Sequence, residues 1–301
     1  MHEDKLFPIR TVSQLTGVNP ITIRAWERRY GLIKPHRTPK GHRLYTQEDI
    51  DLIIQVVTLL EQGMSVSQAR QTVGTPTRSA EKAPEPDDYW GKNQRRMINA
   101  IARYDELALD ATYNDALSLY PIDVVTARLI TPLLKTLGER WQDHDSGIAE
   151  EHFFGAYLRN KLGARLHHMS RQTHGPKVIA ACLPEEYHEV GLLLFCISLA
   201  NQGYRLVLLG GNMPLEQIPL VAERSGADAV VLSGSVDPPK EVLAQQLPAM
   251  MERLRIPVLI GGQVAVNHSD VIARAGAHII GTDLGMGLRR LSELLPDSAV
   301  D

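Results

Sequence analysis

Cysteine, aromatic residues and long apolar runs are all scarce in this chain. Its 301 residues include two cysteines, Cys182 and Cys196, and this number excludes a disulfide framework and a thiolate zinc cluster. Both lie in apolar stretches, where a buried free thiol is expected. The N-terminal sequence lacks the apolar core of a signal peptide, and no run reaches membrane length. We therefore expect a cytoplasmic protein that makes no contact with a membrane.

Positive charge is also lacking overall, but it is concentrated in one window. The formal net charge is −3, which by itself argues against nucleic-acid binding. Between Pro20 and Tyr45, however, seven lysines and arginines accompany a single acid, Glu27, which gives +6 for the window and −9 for the remainder. A basic window on an acidic chain is typical of a module that contacts phosphates.

The same window has the pattern of a winged helix-turn-helix. Gly17 provides the permissive backbone of a tight turn, and Asn19 and Pro20 are suited to cap and open a second helix that enters a major groove. A basic, hairpin-like wing follows from Lys34 to Tyr45. A solvated basic surface is the alternative. The residues predicted to contact DNA are Thr22, Arg24, Arg28, Lys40, His42, Arg43 and Tyr45.

Composition divides the chain into a head, a linker and two further domains. The head, residues 1–74, is expected to be an all-α winged helix-turn-helix, and the Pro-rich, charged residues 75–88 form an extended linker. Residues 89–174 have apolar spacings of three and four, which predict a four-helix bundle. Residues 175–301 alternate short apolar runs with amphipathic segments. This alternation predicts an α/β doubly wound, flavodoxin-like domain with a parallel five-stranded sheet.

Polar residues and glycines follow three of the predicted strands. Glu186-x-His188-x-x-Gly191 comes after the first strand, Ser233 after the third and Gly261-Gly262 after the fourth. Ligands of doubly wound sheets bind at the carboxyl ends of the strands, so these residues are expected to share one site. There Glu186 can accept a hydrogen bond from the His188 ring and strengthen the imidazole as a metal ligand. On its own, a histidine in such a loop is usually just solvated.

A second motif lies in the bundle. Nine residues separate Trp141 from Glu151-His152, and a helix is expected to begin again near Ile148. Without further context, a core tryptophan beside two polar surface residues would be the simpler interpretation.

Together these segments resemble CarH-type (CarH/LitR-like) photoreceptors, MerR-family regulators with a C-terminal cobalamin-binding domain of Rossmann-like fold. The resemblance implies that His188 is the lower axial ligand of cobalt. It implies that Trp141 packs over the adenosyl group, Ile148 adds an apolar contact, Glu151 hydrogen-bonds the adenosyl moiety and His152 lies near the corrin rim. The remaining cofactor-binding residues, by the same resemblance, are Glu186, Gly191, Ser233, Ser235, Gly261 and Gly262. The family's Ser-x-Leu element is Ser233-Gly234-Ser235 here, without the leucine.

The resemblance further implies a repressor rather than an enzyme. Adenosylcobalamin would promote a homo-oligomer, a dimer or a tetramer built from dimers, that binds operator DNA. Light would break the cobalt–carbon bond and release the DNA. The alternatives are a light-indifferent cobalamin sensor of the CarA type and a corrinoid carrier for methyl transfer. The sequence poorly distinguishes a light-indifferent sensor from a light-responsive repressor. It argues against a carrier, because a carrier has no need of a DNA-binding head.

One position departs from the family pattern. The residue after the signature tryptophan is often histidine in light-responsive relatives, but here it is Gln142, and the nearest histidine is His144. An amide is a poor ligand for cobalt. We therefore expect light-driven disassembly without a durable bis-histidine adduct, although capture by His144 is the alternative.

Overall fold

The chain folds into two units, residues 1–154 and 155–301. The computed structural model describes residues 6–38, 41–73, 86–140, 147–169 and 173–295. Within these ranges no helix has the length and apolar content needed to cross a membrane. The domain boundaries given above stay a prediction.

The first unit begins with the winged helix-turn-helix. Its elements are β1 (Phe7–Pro8), α1 (Ile9–Thr16), α2 (Pro20–Ala25), a π-helical turn (Trp26–Tyr30), β2 (His36–Arg37), β3 (Arg43–Tyr45), α3 (Gln47–Glu61) and α4 (Val66–Thr72). Gly17 adopts φ 69°, and the Asn19 side chain caps α2 by accepting from the Ile21 amide at 2.8 Å. Strands β2 and β3 form the expected wing. Strand β1 was not expected, and it completes a three-stranded antiparallel sheet in the order β1-β3-β2, so this head is not all-α.

Helices fill the rest of the first unit and continue into the second. They are α5 (Pro86–Ile101), α6 (Glu106–Leu119), α7 (Ile122–Val125), a π-helical turn (Thr126–Ile130), α8 (Thr131–Arg140) and α9 (Gly147–Met169). Because α7, the π-helical turn and α8 follow without a break, the described residues of this segment form four helices, as the apolar spacing predicts. The Asp105 side chain caps α6, and Pro121 immediately precedes α7. Helix α9 begins one residue before Ile148, where the restart was expected.

A parallel five-stranded sheet forms the second unit. Its strands are β4 (Lys177–Cys182), β5 (Arg205–Gly210), β6 (Ala229–Ser233), β7 (Val258–Gly261) and β8 (His278–Gly281), in the order β5-β4-β6-β7-β8. The helices that cover it are α10 (Val190–Asn201), α11 (Ile218–Ser225), α12 (Leu247–Arg253), α13 (Gln263–Asn267), α14 (Ser269–Arg274) and α15 (Leu284–Leu294). This order places the topological switch point between β4 and β6, where ligands of such sheets bind.

Both faces of the sheet are covered, as a doubly wound fold requires. Alternate residues of β4 enter two separate apolar clusters, Ile179 and Ala181 in one and Val178 in the other. Cys182 and Cys196 are buried free thiols, as predicted, and burial raises the pKa of each to about 12.

Candidate functional site

The loop from residue 183 to 189 carries the predicted metal ligand at the carboxyl end of β4. The His188 side chain is 58% exposed, whereas Glu186 is almost fully buried at 2%. Glu186 Oε1 lies 2.7 Å from His188 Nδ1 and accepts a hydrogen bond from the His188 backbone amide, also at 2.7 Å. The carboxylate therefore fixes both the ring and the main chain of its neighbour.

The other carboxylate oxygen of Glu186 is held by the loop that follows β6. Its Oε2 accepts from the backbone amide and the hydroxyl of Ser235, both at 2.5 Å, and from the Val236 amide at 3.0 Å. Ser233, which the sequence placed in the same site, is the last residue of β6, and Ser235 rather than Ser233 contacts the carboxylate.

This network determines which nitrogen of His188 can bind a metal. Burial alone raises a carboxyl pKa, but the hydrogen bonds from Ser235, His188 and Val236 outweigh burial and hold the pKa of Glu186 below its usual value. A charged carboxylate at Nδ1 favours the tautomer that is protonated there, and Nε2 then carries the lone pair. An exposed imidazole arranged in this way suits one axial bond to a metal that a cofactor holds.

The glycines of the predicted site have different roles. A Cβ added at Gly191 would meet no atom within 4 Å, so the surrounding protein does not require glycine there, and the space is open to a ligand. A Cβ at Gly262, which has φ 87°, would collide with the Gly234 carbonyl, and one at Gly261 would lie 3.1 Å from the Ile280 side chain. Internal packing therefore accounts for the Gly-Gly pair.

Exposed apolar side chains surround this edge of the sheet. Tyr187, Val236, Val266 and Met286 are each more than half exposed. They lie in the segments that follow β4, β6, β7 and β8, respectively. Apolar side chains exposed at this edge suit contact with the apolar face of a macrocycle.

The second motif, which comprises Trp141 and Glu151-His152, is described only in part. Trp141, Gln142 and His144 lie outside the described residues. In the first two turns of α9, Ile148 and His152 are exposed and Glu151 is partly exposed, while the neighbouring Glu150 is buried.

The residues predicted to contact DNA differ in their exposure. Arg24, Arg28 and His42 are exposed, and Lys40 lies outside the described residues. Thr22 was predicted to contact DNA, and in this arrangement the prediction is wrong. Its side chain has no exposed surface, and its hydroxyl donates to the Leu117 carbonyl of α6 at 2.9 Å.

Helix α6 covers the face of α2 on which Thr22 lies. A second hydrogen bond there runs from Trp26 Nε1 to the Leu119 carbonyl at 2.8 Å. Helix packing of this kind depends on residues about 95 positions apart in the chain, which a local motif does not reveal.

Three wing residues have structural roles that the motif did not indicate. Arg43 Nε donates to Glu27 at 2.6 Å and Arg37 also donates to Glu27 at 3.1 Å, so this acid connects the wing to the π-helical turn that follows α2. Arg43 is therefore a charge-compensated brace. Tyr45 was predicted to contact DNA, but it is completely buried, opposite Phe7 in the three-stranded sheet, so it cannot do so in this arrangement.

Three residues that the motifs did not indicate organise the His188 loop. Val236 donates to Glu186, Asn212 bonds to the loop at several points, and Glu189 accepts from the Gly211 amide at 2.7 Å. The local signal for them is the Gly-Gly-Asn sequence that begins at the last residue of β5 and is typical of a turn.

Comparison with protein families agrees with this geometry. The family described as MerR HTH family regulatory protein matches residues 7–74, and two families described as B12 binding domain match residues 94–166 and 176–286. The monomethylamine corrinoid protein of Methanosarcina barkeri has a similar fold, with a TM-score of 0.54 at 18% identity. This similarity covers 69% of this chain and 98% of that one.

Two curated relatives extend over almost the whole chain. The HTH-type transcriptional repressor CarH of Myxococcus xanthus is 30% identical, over 92% of this chain and 95% of its own. The HTH-type transcriptional repressor CarA of the same organism is 29% identical, over 89% and 91%. The chain is therefore a DNA-binding regulator with a cobalamin-type cofactor rather than an enzyme, and it belongs to the CarH/CarA family of MerR-type, cobalamin-binding transcriptional regulators.

Proposed function

We propose that this regulator is a repressor whose DNA binding depends on adenosylcobalamin and is reversed by light. The observation that carries the proposal is the Glu186–His188 pair beside the open position at Gly191. When bound, adenosylcobalamin would supply a cobalt–carbon bond that visible light breaks.

The residues of this chain have separate tasks in the proposal. His188 Nε2 would ligate cobalt, and Glu186 holds the proton on Nδ1 so that the ring keeps this orientation. The exposed apolar side chains Tyr187, Val236, Val266 and Met286 would exclude water from the corrin. By the family resemblance, Trp141, Ile148, Glu151 and His152 would contact the adenosyl group and the corrin. Contacts to the adenosyl group would exist only while that group is present.

Control of DNA binding then follows from assembly. Ligand contacts that exist in only one state shift the equilibrium towards that state. If the adenosyl contacts favour a dimer or tetramer, several basic heads engage one operator, and the combined affinity far exceeds that of one head. Arg24, Arg28, Lys40 and His42 supply phosphate or base contacts, and Arg43 holds the wing in position.

The test compares absorption spectrum and elution volume before and after green light. Protein loaded in darkness with adenosylcobalamin is expected to elute as an oligomer and to shift to a smaller species on illumination. Protein loaded with cyanocobalamin, which lacks the adenosyl group, is the matched control and is expected to elute as the smaller species throughout.

A light-indifferent sensor is the second candidate. Light-responsive relatives often have histidine directly after the signature tryptophan, whereas this chain has Gln142 there and its nearest histidine is His144. An adenosylcobalamin oligomer with the same elution volume before and after light would favour this candidate. An elution volume that no form of cobalamin changes would contradict both the light-responsive repressor and the light-indifferent sensor.

A further inference from the structure

Two loops at the carboxyl edge of the sheet are joined by an asparagine. Asn212 lies in the loop after β5 and contacts the His188 loop through three hydrogen bonds. Its Oδ1 accepts from the Glu185 backbone amide at 2.8 Å, and its own backbone amide donates to the Glu186 carbonyl at 2.8 Å. Its Nδ2 donates to the Tyr187 hydroxyl at 3.1 Å. Three successive residues before His188 are thus held by one side chain and its main chain.

Backbone conformation explains why this position suits asparagine. Asn212 has φ 50° and Glu185 has φ 66°, both in the left-handed region. Among residues other than glycine, asparagine adopts this region most readily, whereas glutamate does so at a cost. The strained turn at Glu185 therefore depends on bonds from outside itself, and Asn212 provides them.

Glu189 joins the same two loops from the other end of the turn. Its Oε1 accepts from the Gly211 amide at 2.7 Å, and its Oε2 lies 3.7 Å from Arg159 Nη1 on α9. A Cβ at Gly210, which has φ 81°, would lie 2.6 Å from Glu189 Oε1, so this loop fits closely around the carboxylate. The segment from 185 to 189 is thus fixed on both sides of His188.

We propose that Asn212, supported by Glu189, is a positioning residue that holds the His188 loop in the conformation in which the imidazole can ligate cobalt. The inference rests on the proposed role of His188. Glu186 orients the ring relative to its own loop, and Asn212 orients that loop relative to the sheet. Both are needed to direct Nε2 at one point.

Substitutions of Asn212 and of its partner Tyr187 separate the contributions of the individual hydrogen bonds. Asn212→Gly keeps the left-handed backbone but removes both side-chain bonds, Asn212→Asp keeps an acceptor for the Glu185 amide, and Tyr187→Phe removes only the hydroxyl. Each hydrogen bond shifts an equilibrium roughly two- to tenfold. The Kd for cobalamin should therefore rise about tenfold in Asn212→Gly, and at most about threefold in Asn212→Asp and Tyr187→Phe.

The direct readout is electron paramagnetic resonance of cob(II)alamin bound to protein labelled with 15N-histidine. The cofactor's own base is also a nitrogen donor, so 15N rather than 14N superhyperfine splitting reports histidine ligation. We expect the 15N splitting to lose amplitude in Asn212→Gly and to be largely restored in Asn212→Asp. Unchanged affinity and splitting in Asn212→Gly would overturn the proposal, and so would an equal loss in Asn212→Asp.

Hydrogen exchange of the cobalamin-free protein tests the brace without any ligand. The amides of residues 185–188 should exchange faster in Asn212→Gly than in the wild type. Unchanged exchange would contradict the bracing role even if His188 does ligate cobalt. Suppose that exchange is faster in Asn212→Gly but that wild-type protein loaded with cob(II)alamin shows no splitting from histidine nitrogen. This result would support the bracing role of Asn212 and refute His188 as the ligand.

Discussion

Replacing Glu186 with glutamine tests how the histidine is prepared for metal binding. The carboxylate accepts five hydrogen bonds, two from His188 and three from Ser235 and Val236. The glutamine side chain has one acceptor oxygen, so its NH2 group must face either His188 or the donors of Ser235 and Val236. If the oxygen stays with Ser235 and Val236, the NH2 group faces His188 Nδ1. It then favours the tautomer that is protonated at Nε2, and a protonated Nε2 cannot ligate a metal.

The size of the effect follows from the loss of this orienting bond. Removing such a partner of a metal-bound histidine typically lowers affinity about 10- to 100-fold, which is ~1.4–2.7 kcal/mol. The assay is absorbance titration of cobalamin-free protein with cobalamin in darkness. Glu185→Gln, the same change at the neighbouring exposed carboxylate, is the matched control and should bind as the wild type does. If Glu186→Gln binds within twofold of the wild type, the reasoning is refuted.

The same variant has a predictable dependence on pH. The folded-state pKa of Glu186 is lowered, so its carboxylate stabilises the fold above its unfolded-state pKa, and this contribution is lost as pH falls through the folded-state value. The difference in unfolding free energy between wild type and Glu186→Gln should therefore shrink on acidification, as measured by urea denaturation. A difference independent of pH would contradict an ionised Glu186.

Three further predictions concern packing and DNA contacts. Gly191→Ala should keep wild-type stability but weaken cobalamin binding, whereas Gly262→Ala should destabilise the fold by ~1–3 kcal/mol in urea denaturation; equal stability of the two would contradict the packing argument. Arg24→Ala with Arg28→Ala should reduce the salt-dependence slope of operator binding by about 2, and an unchanged slope would exclude both as phosphate contacts. Tyr45→Phe removes a buried hydroxyl that has no hydrogen-bond partner among the described residues. It should raise the unfolding free energy by ~1 kcal/mol and leave operator affinity unchanged, and tenfold weaker operator binding would show that Tyr45 contacts DNA.

Local sequence was sufficient for the elements and for the position of the site. The alternation of apolar runs predicted the five strands, and motifs after the first and third strands meet at the switch point because β4 and β6 are neighbours. The strand order itself has no local signal, since it depends on how crossover connections pass over the sheet. The serine that bonds to Glu186 has no local signal either. Which serine reaches the carboxylate depends on the path of the loop after β6.

The misassigned DNA contacts have a tertiary cause. Thr22 and Tyr45 stand at positions that the motif assigns to DNA, yet Thr22 bonds to α6 and Tyr45 is paired with Phe7 of β1. The bonds that Asn212 makes have no local signal because all three of its partners lie in a loop 25 or more residues away, and two of the three are main-chain groups.

Operator binding measured in three states of one protein sample tests the central claim most directly. Fluorescence anisotropy of labelled operator DNA would be recorded without cobalamin, with adenosylcobalamin in darkness, and after green light. We expect adenosylcobalamin to tighten operator binding at least tenfold, light to reverse that gain, and His188→Ala to reduce it. Equal affinity in all three states would contradict cobalamin control of DNA binding by this chain.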